Sequence, residues 1–328
     1  MTTALGKRLA AQFGPGPVYL LVDPCFDDPP GVALEKAATG AVPGGTRRAR
    51  EAAWKRQVHT LHSSDLPRFT EARFPYLVCL EGDADPWLEK SIEWAAQEHL
   101  DACALGNGSC RIGGWLQPHS VDTPRVLESL SSGIDHEGRA LAAQLACLLE
   151  FADADGARRM VRLFDRRVLH TLQRGTRIDW ASALQGIACW SYLDHNLALH
   201  TLQGHRGAFT AKPLIDSDAH RELLARCHAL HLTQSAWLHT TFPLPDDAFD
   251  KAMRQLYDAE QRGLVHPADQ AAYAVETLTE PAFGHWPKQQ VLLNNVVRNR
   301  LVLRDALDDQ RHNWTGTNAA TRTVGKYV

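Results

Sequence analysis

The chain has 328 residues, 44% of them hydrophobic, and a formal net charge of −3. That length supports one large domain or two modest lobes, and so small a charge sets up no global field to attract nucleic acid or an anionic membrane. The seven cysteines, at positions 25, 79, 103, 110, 147, 189 and 227, are odd in number and form no C-x-x-C pair, which argues against a disulfide framework and for reduced thiols.

Met1 to Phe13 reads as an amphipathic helix carrying Lys7 and Arg8 without the apolar centre of a signal peptide. No run approaches the roughly 18 to 20 apolar residues of a membrane span, so the expectation is a cytoplasmic protein with no membrane partner. Val18 to Val22 is a short apolar run bounded by Pro17 and Asp23-Pro24, the pattern of a buried strand. Residues 27–50 are rich in Pro, Gly and Ala and predict a loop. Phe74 to Leu80 repeats the strand pattern, and Asp85-Pro86 predicts the start of a helix over Trp87 to Leu100.

A further strand is expected near Arg111 to Leu116, after a turn at Gly106-Asn107-Gly108. Leu141, Leu145, Leu148 and Leu149 recur at helical spacing; a turn over Asp153 to Gly156 then leads to an expected strand, Met160 to Phe164. Asp165 predicts an N-cap for a helix over Arg166 to Gln173, and Asp23 and Asp85 suit the same device. Beyond about residue 215 helical periodicity takes over, with Leu223, Leu224, Cys227 and Leu230 on one stripe. Pro245-Asp246 opens a helix that Gly263 closes, Pro267 opens another, and Pro287 precedes one helix expected to run to about Asp309. The polar residues 313–328 carry no packing signal and are expected to be disordered without a partner.

Sixteen histidines include three clusters: His59 with His62, His195 with His200 and His205, and His228 with His231 and His239. No H-E-x-x-H occurs, and no cysteine or carboxylate stands at a diagnostic ligand spacing. The expectation is therefore no metal and no cofactor, with a metal-dependent hydrolase on one of these clusters as the alternative. No G-x-S-x-G elbow appears, and Gly106 to Gly114 has neither dinucleotide nor phosphate-loop spacing. The basic stretch Thr46 to Arg50, with Lys55 and Arg56, is interrupted by Glu51 and lacks an aromatic ladder, so it reads as a solvated helix face without a nucleic-acid partner. Trp87, Trp94, Trp115, Trp180, Trp190, Trp237 and Trp286 exceed what a routine core needs, and Trp is enriched where one protein grips another.

The segment Val161-Arg162-Leu163-Phe164-Asp165-Arg166-Arg167-Val168-Leu169 resembles the signature of the type VI secretion effector-chaperone, or adaptor, family, in which Arg, an apolar pair, Asp, Pro, Arg, Val and Leu follow one another. Arg162, Phe164, Asp165, Arg167, Val168 and Leu169 match, and Arg166 stands where Pro is usual. Tyr19 to Asp23 is similar to the family's opening strand, and Phe74-Pro75-Tyr76-Leu77-Val78 to its second. The run from Gly263 through Asp269, Tyr273 and Phe283 to Pro287 is similar to adaptor helices.

The resemblance implies a non-enzymatic chaperone that binds the N-terminal region of a secreted toxin effector and loads it onto the spike protein of the secretion machine. The family supplies no catalytic residues to carry over. The expected fold is α+β in two lobes: an N-terminal α/β lobe over residues 1–210 with a small mixed sheet, and an all-helical lobe over 211–312, with the effector held in or beside the groove between them. Aromatic and arginine anchors suit such an interface, and the candidates are Trp237, Phe242, Tyr257, Trp286, Arg298 and Arg300. Asp23, Arg162, Asp165 and Arg167 are assigned to the scaffold.

Overall fold

The computed structural model describes residues 2–13, 16–24, 28, 45–62, 71–82, 84–105, 110–119, 132–153, 155–207 and 212–312. The expected turn at 106–108 and the polar tail 313–328 lie outside these residues. The chain divides into two compact units, Met1–Ala225 and Arg226–Val328, and the division falls within a helix.

The N-terminal unit is built on a six-stranded sheet in the order β2-β3-β1-β4-β7-β8. Its strands are β1 (Val18–Val22), β2 (Val58–Thr60), β3 (Tyr76–Leu80), β4 (Ile112–Pro118), β7 (Ile187–Leu193) and β8 (Leu199–Gln203). A separate hairpin joins β5 (Glu150–Ala152) to β6 (Arg158–Met160). The α+β class is as expected, but the sheet is neither small nor mixed, because every neighbouring pair is antiparallel. A strand, helix, strand order in sequence permits either direction, and here β1 lies between β3 and β4, both running against it.

All residues of β1 and β3 are buried, so these strands are covered on both faces and show no polar alternation. One face packs on α1 (Thr2–Ala10), α2 (Gly45–Trp54) and α3 (Pro86–Leu105). There Leu5, Leu9, Trp54, Leu88, Ile92 and Trp94 form a single cluster with Val18, Leu20, Val22, Val58, Tyr76, Val78, Trp115 and Leu193. Trp54, Trp87 and Trp94 meet edge to face or tilted, with centroids 4.9–5.9 Å apart, a geometry that suits aromatic quadrupoles. Alternation sends Tyr19 and His59 to the opposite face, where their rings lie 6.3 Å apart and α4 (Ser132–Leu149) packs against β2 and β3.

Gly114 bears a close approach within β4. Its φ is +130°, and a Cβ there would stand 2.4 Å from the Ser191 carbonyl oxygen and 2.8 Å from Trp190 Nε1. Three fully buried indoles place their N–H groups on partners: Trp54 donates to Tyr76 Oη at 3.2 Å, Trp115 to Ser91 Oγ at 2.8 Å and Trp190 to the Gly113 carbonyl at 3.3 Å. Most of the tryptophan excess is therefore spent in this core.

The expected loop over 27–50 gives way to α2 from Gly45, and its basic run turns partly inward. Arg50 is fully buried, its guanidinium 4.1 Å from the Tyr76 ring centroid and 3.3 Å from Asp28. Arg47 pairs with Glu51 at 2.9 Å and Arg56 with Asp85 at 2.9 Å. The run presents no continuous cationic face.

Asp165 caps α5 (Arg166–Gly175), accepting from Arg167 N at 3.0 Å. Asp85 does the same for α3, accepting from Trp87 N at 2.9 Å. Asp23 differs: it takes a 2.6 Å ion pair from Arg162. The strand expected at Met160 to Phe164 is displaced upstream, because β6 ends at Met160 and the buried Val161, Leu163 and Phe164 lead directly into the cap. A short helix, α6 (Trp180–Ala183), precedes β7.

The helix α7 (Asp218–Leu238) crosses the division between units. In the C-terminal unit the described residues form helices only: α8 (Ala248–Gln261), α9 (Pro267–Thr279), a 3₁₀ turn at Phe283–His285, α10 (Pro287–Asn299) and α11 over 303–312. Gly263, at φ +84°, turns the chain between α8 and α9, and Pro267 and Pro287 sit at helix starts, where a missing N–H costs nothing. The single helix expected to about Asp309 is two helices. Arg300 caps α10 in a left-handed conformation, φ 52°, and Asp269 Oδ1 accepts the Leu303 N–H at the start of α11 at 2.8 Å. Tyr273, Phe283, Leu293, Val296, Leu303 and Leu307 form the core.

Candidate functional site

Helices α9, α10 and α11, with the turn at Phe283–His285, enclose an apolar groove of about 980 Å³. Phe283, Trp286, Pro287 and Leu307 supply its apolar lining, and Glu276, Lys288 and Arg311 stand among the lining residues. Arg311 is bonded to Glu276, so part of this charge is neutralised in place. Trp286 is 45% exposed because Pro287 starts α10 immediately after it and the extended backbone at Trp286 leaves its indole beside the helix.

The candidate anchors separate. Phe242 and Tyr257 are 63% and 58% exposed, and Arg298 and Arg300 are exposed near the end of α10. Trp237 is 6% exposed; it lies on the inner stripe of α7 and packs inside, so it offers no surface anchor. The exposed large hydrophobics are Phe242, Tyr257, Val265, Trp286, Val291, Val297, Leu301 and Val302. All belong to the C-terminal unit, and the N-terminal unit exposes none among its described residues. The valines and leucine of α10 and its C-terminal end were not among the anchors expected from sequence, because a helix with Leu293 and Val296 turned inward reads as having one apolar face, and its outward Val291 and Val297 interrupt that pattern.

The histidines converge somewhere else. His195 and His200 come together as expected, but His205 does not join them; its backbone instead bonds Ala181. The missing member is His170, from α5. Among the described residues, ligand atoms of His170, Asp194 and His195 all lie within 4.8 Å of one another, whereas neither the His59 pair nor the His228 group forms such a set.

The local chain explains this convergence. β7 and β8 are joined by a five-residue loop over 194–198, in which Asp194 Oδ1 accepts from Asn196 N at 2.8 Å and Ala198 N at 2.9 Å. Asp194 Oδ2 receives His200 Nε2 at 2.8 Å. The register sets His200 opposite Tyr192, and the two rings stack at 5.5 Å. His170 lies 5.0 Å from the His200 centroid and 5.4 Å from that of His195.

Burial, with the neighbouring His195, pushes the His170 imidazole down to about 3. Burial also lowers His195. Burial works against the Asp194 carboxylate, but the His200 hydrogen bond, His195 and the Ala198 N–H together hold it down to about 2. At neutral pH His170 and His195 are thus neutral beside the ionised Asp194 carboxylate.

Comparison with protein-family models, with curated proteins and with solved structures finds no match for this chain.

Proposed function

We propose that this chain is a non-enzymatic cytoplasmic adaptor that binds a secreted toxin effector through its C-terminal unit and loads it onto the spike protein of a type VI secretion machine. One observation carries the binding half of this reading: among the described residues the exposed large hydrophobics all lie in the C-terminal unit, and one of them, Trp286, lines the apolar groove. A concentration of exposed apolar surface marks a protein contact. The effector's identity as partner rests on the resemblance of the Arg162 to Leu169 segment, supported by the scaffold roles of Asp23, Arg162, Asp165 and Arg167, which hold this segment in place without addressing solvent chemistry.

The occupant that fits is an apolar helix or extended segment from the effector's N-terminal region, with anchors that enter beside Trp286 and polar flanks that meet Lys288 and Glu280. Affinity purification of the tagged protein from its own bacterium, followed by mass spectrometry and size-exclusion chromatography, tests the reading. A near-equimolar complex with one large toxin-like protein is expected, reduced at least tenfold by Trp286→Ala with unchanged melting. Recovery of the protein alone overturns the adaptor reading. Full retention of the partner by Trp286→Ala overturns the groove as the docking place.

A further inference from the structure

We infer that His170, Asp194 and His195 form a binding site for one divalent transition-metal ion of the zinc class, which clips helix α5 to the loop between β7 and β8. Two imidazoles and a carboxylate are a common zinc donor set, and three protein ligands leave a fourth position for water or a partner's side chain. The three donor atoms already lie within 4.8 Å of one another. Tetrahedral closure at 2.0–2.2 Å bonds places such atoms about 3.4 Å apart, so an ion draws them together by about an ångström.

The surroundings fix the donors as a metal site requires. Tyr192 donates its hydroxyl hydrogen to Gln173 Oε1. A hydroxyl has only one such hydrogen, so its 3.2 Å contact with His170 Nδ1 is an N–H of the imidazole donating to the hydroxyl oxygen. With the protons placed in this way, Nε2 keeps its lone pair. On the carboxylate side, His200 and the Asn196 and Ala198 amides orient Asp194. Outer partners that set tautomer and carboxylate direction in this manner are a regular feature of metal centres. His195 completes the set from the loop itself and is half-buried there.

A purely structural hydrogen-bond cluster accounts for Asp194 and His200, because the carboxylate holds the loop together. It does not require an imidazole from each of two elements, His170 of α5 and His195 of the loop, within reach of that carboxylate. The donor set of two imidazoles and one carboxylate suits a borderline transition-metal ion. Soft thiolate is absent from the set, so copper(I) is disfavoured, and the imidazole content disfavours calcium and magnesium.

The test uses the full-length protein, stripped with chelator and titrated with zinc chloride against a chromophoric competitor, with thermal melting followed in parallel. One equivalent is expected to bind, and the melting temperature is expected to rise by several degrees. His195→Gln, at a half-buried loop position, is expected to melt like the wild type without metal and to bind at least tenfold more weakly. His228→Gln, a histidine on α7, is expected to bind like the wild type. The proposal is overturned if the wild type takes up no zinc equivalent, if His195→Gln binds as tightly as the wild type, or if His228→Gln loses binding to the same extent.

Discussion

Arg162 donates Nη2 to Asp23 Oδ2 at 2.6 Å, joining the residue after β1 to the segment before α5 across 139 positions of sequence. Asp23 is buried while the Arg162 side chain is partly exposed, and the guanidinium also lies 5.5 Å from the Phe164 ring centroid. The pair therefore ties the Leu163-Phe164-Asp165 segment, which leads into α5, to the end of β1. Arg162→Ala is expected to destabilise the fold by about 1–3 kcal/mol, because a buried carboxylate loses a charge-assisted partner. A double-mutant cycle with Asp23→Asn, read by urea denaturation, checks this; strictly additive effects of the two changes mean that the contact contributes nothing.

Asp165 joins two roles. It caps α5 and also accepts from Arg167 Nε at 3.0 Å and Nη2 at 2.8 Å. A lost cap costs about 1 kcal/mol, and a partly buried Arg167 without its carboxylate adds a similar amount. Asp165→Ala is expected to cost about 2 kcal/mol in denaturant unfolding, while Asp165→Asn, which keeps a capping oxygen, loses about half as much. A loss of partner binding without a stability change places Asp165 in an interface instead.

The departure at Arg166 from the adaptor signature has a physical explanation. Proline at a helix start contributes a fixed φ. Arg166 instead reaches α3, donating Nη2 to the Ala95 carbonyl at 2.6 Å and lying 3.9 Å from Glu98. Arg166→Pro is expected to destabilise, not to improve, the chain. The helix start gains, but Glu98, whose pKa burial raises while Arg166 lowers it, loses a neighbouring cation. Thermal melting of this variant decides, and a raised melting temperature contradicts the α3 link.

Some of this was legible in sequence. β1, β3 and β4, the caps at Asp85 and Asp165, and the starts of α9 and α10 follow from short apolar runs and from Asp or Pro at fixed offsets, which are local signals. β7 and β8 carry no such signal: Ile187–Leu193 mixes Ser191 with aromatics, and Leu199–Gln203 is only half-buried. The histidine site depended on that missed hairpin. Sequence spacing grouped His195 with His200 and His205, whereas strand register faced His200 to Tyr192 and tertiary packing brought His170 from 24 positions before Asp194. Proximity of that kind is set by the sheet and not by spacing.

Two glycine substitutions separate crowding from backbone strain. Gly114→Ala combines an unfavourable φ with contact on the Ser191 carbonyl and Trp190 indole, and is expected to cost about 3 kcal/mol or more. Gly82 also has a positive φ, +87°, but open space around it. Gly82→Ala is expected to cost only about 1 kcal/mol. Similar losses for both in denaturant unfolding mean that the crowding at β4 is relieved by movement of β7.

His59 governs an acid limb of stability. It is buried on the α4 side of the sheet, and a Cβ on Gly138 would stand 2.2 Å from its Nε2. Burial, then Arg47, lowers its pKa to about 4; Glu51 opposes them, and Arg139 adds to the lowering. In the unfolded chain the imidazole titrates near 6.5. Between those values the unfolded state binds a proton that the folded state refuses, so stability rises with pH across this window. The contribution is fully present above about pH 6.5 and is lost as pH falls towards 4, by roughly 2–3 kcal/mol. His59→Gln removes the titrating group while keeping polar atoms in place. Its unfolding free energy is expected to vary less between pH 7 and pH 4.5 than that of the wild type, by about 2 kcal/mol in urea titrations at the two pH values. An identical pH dependence in the two proteins means that acid destabilisation enters through other groups, and that His59 accepts its proton within the fold.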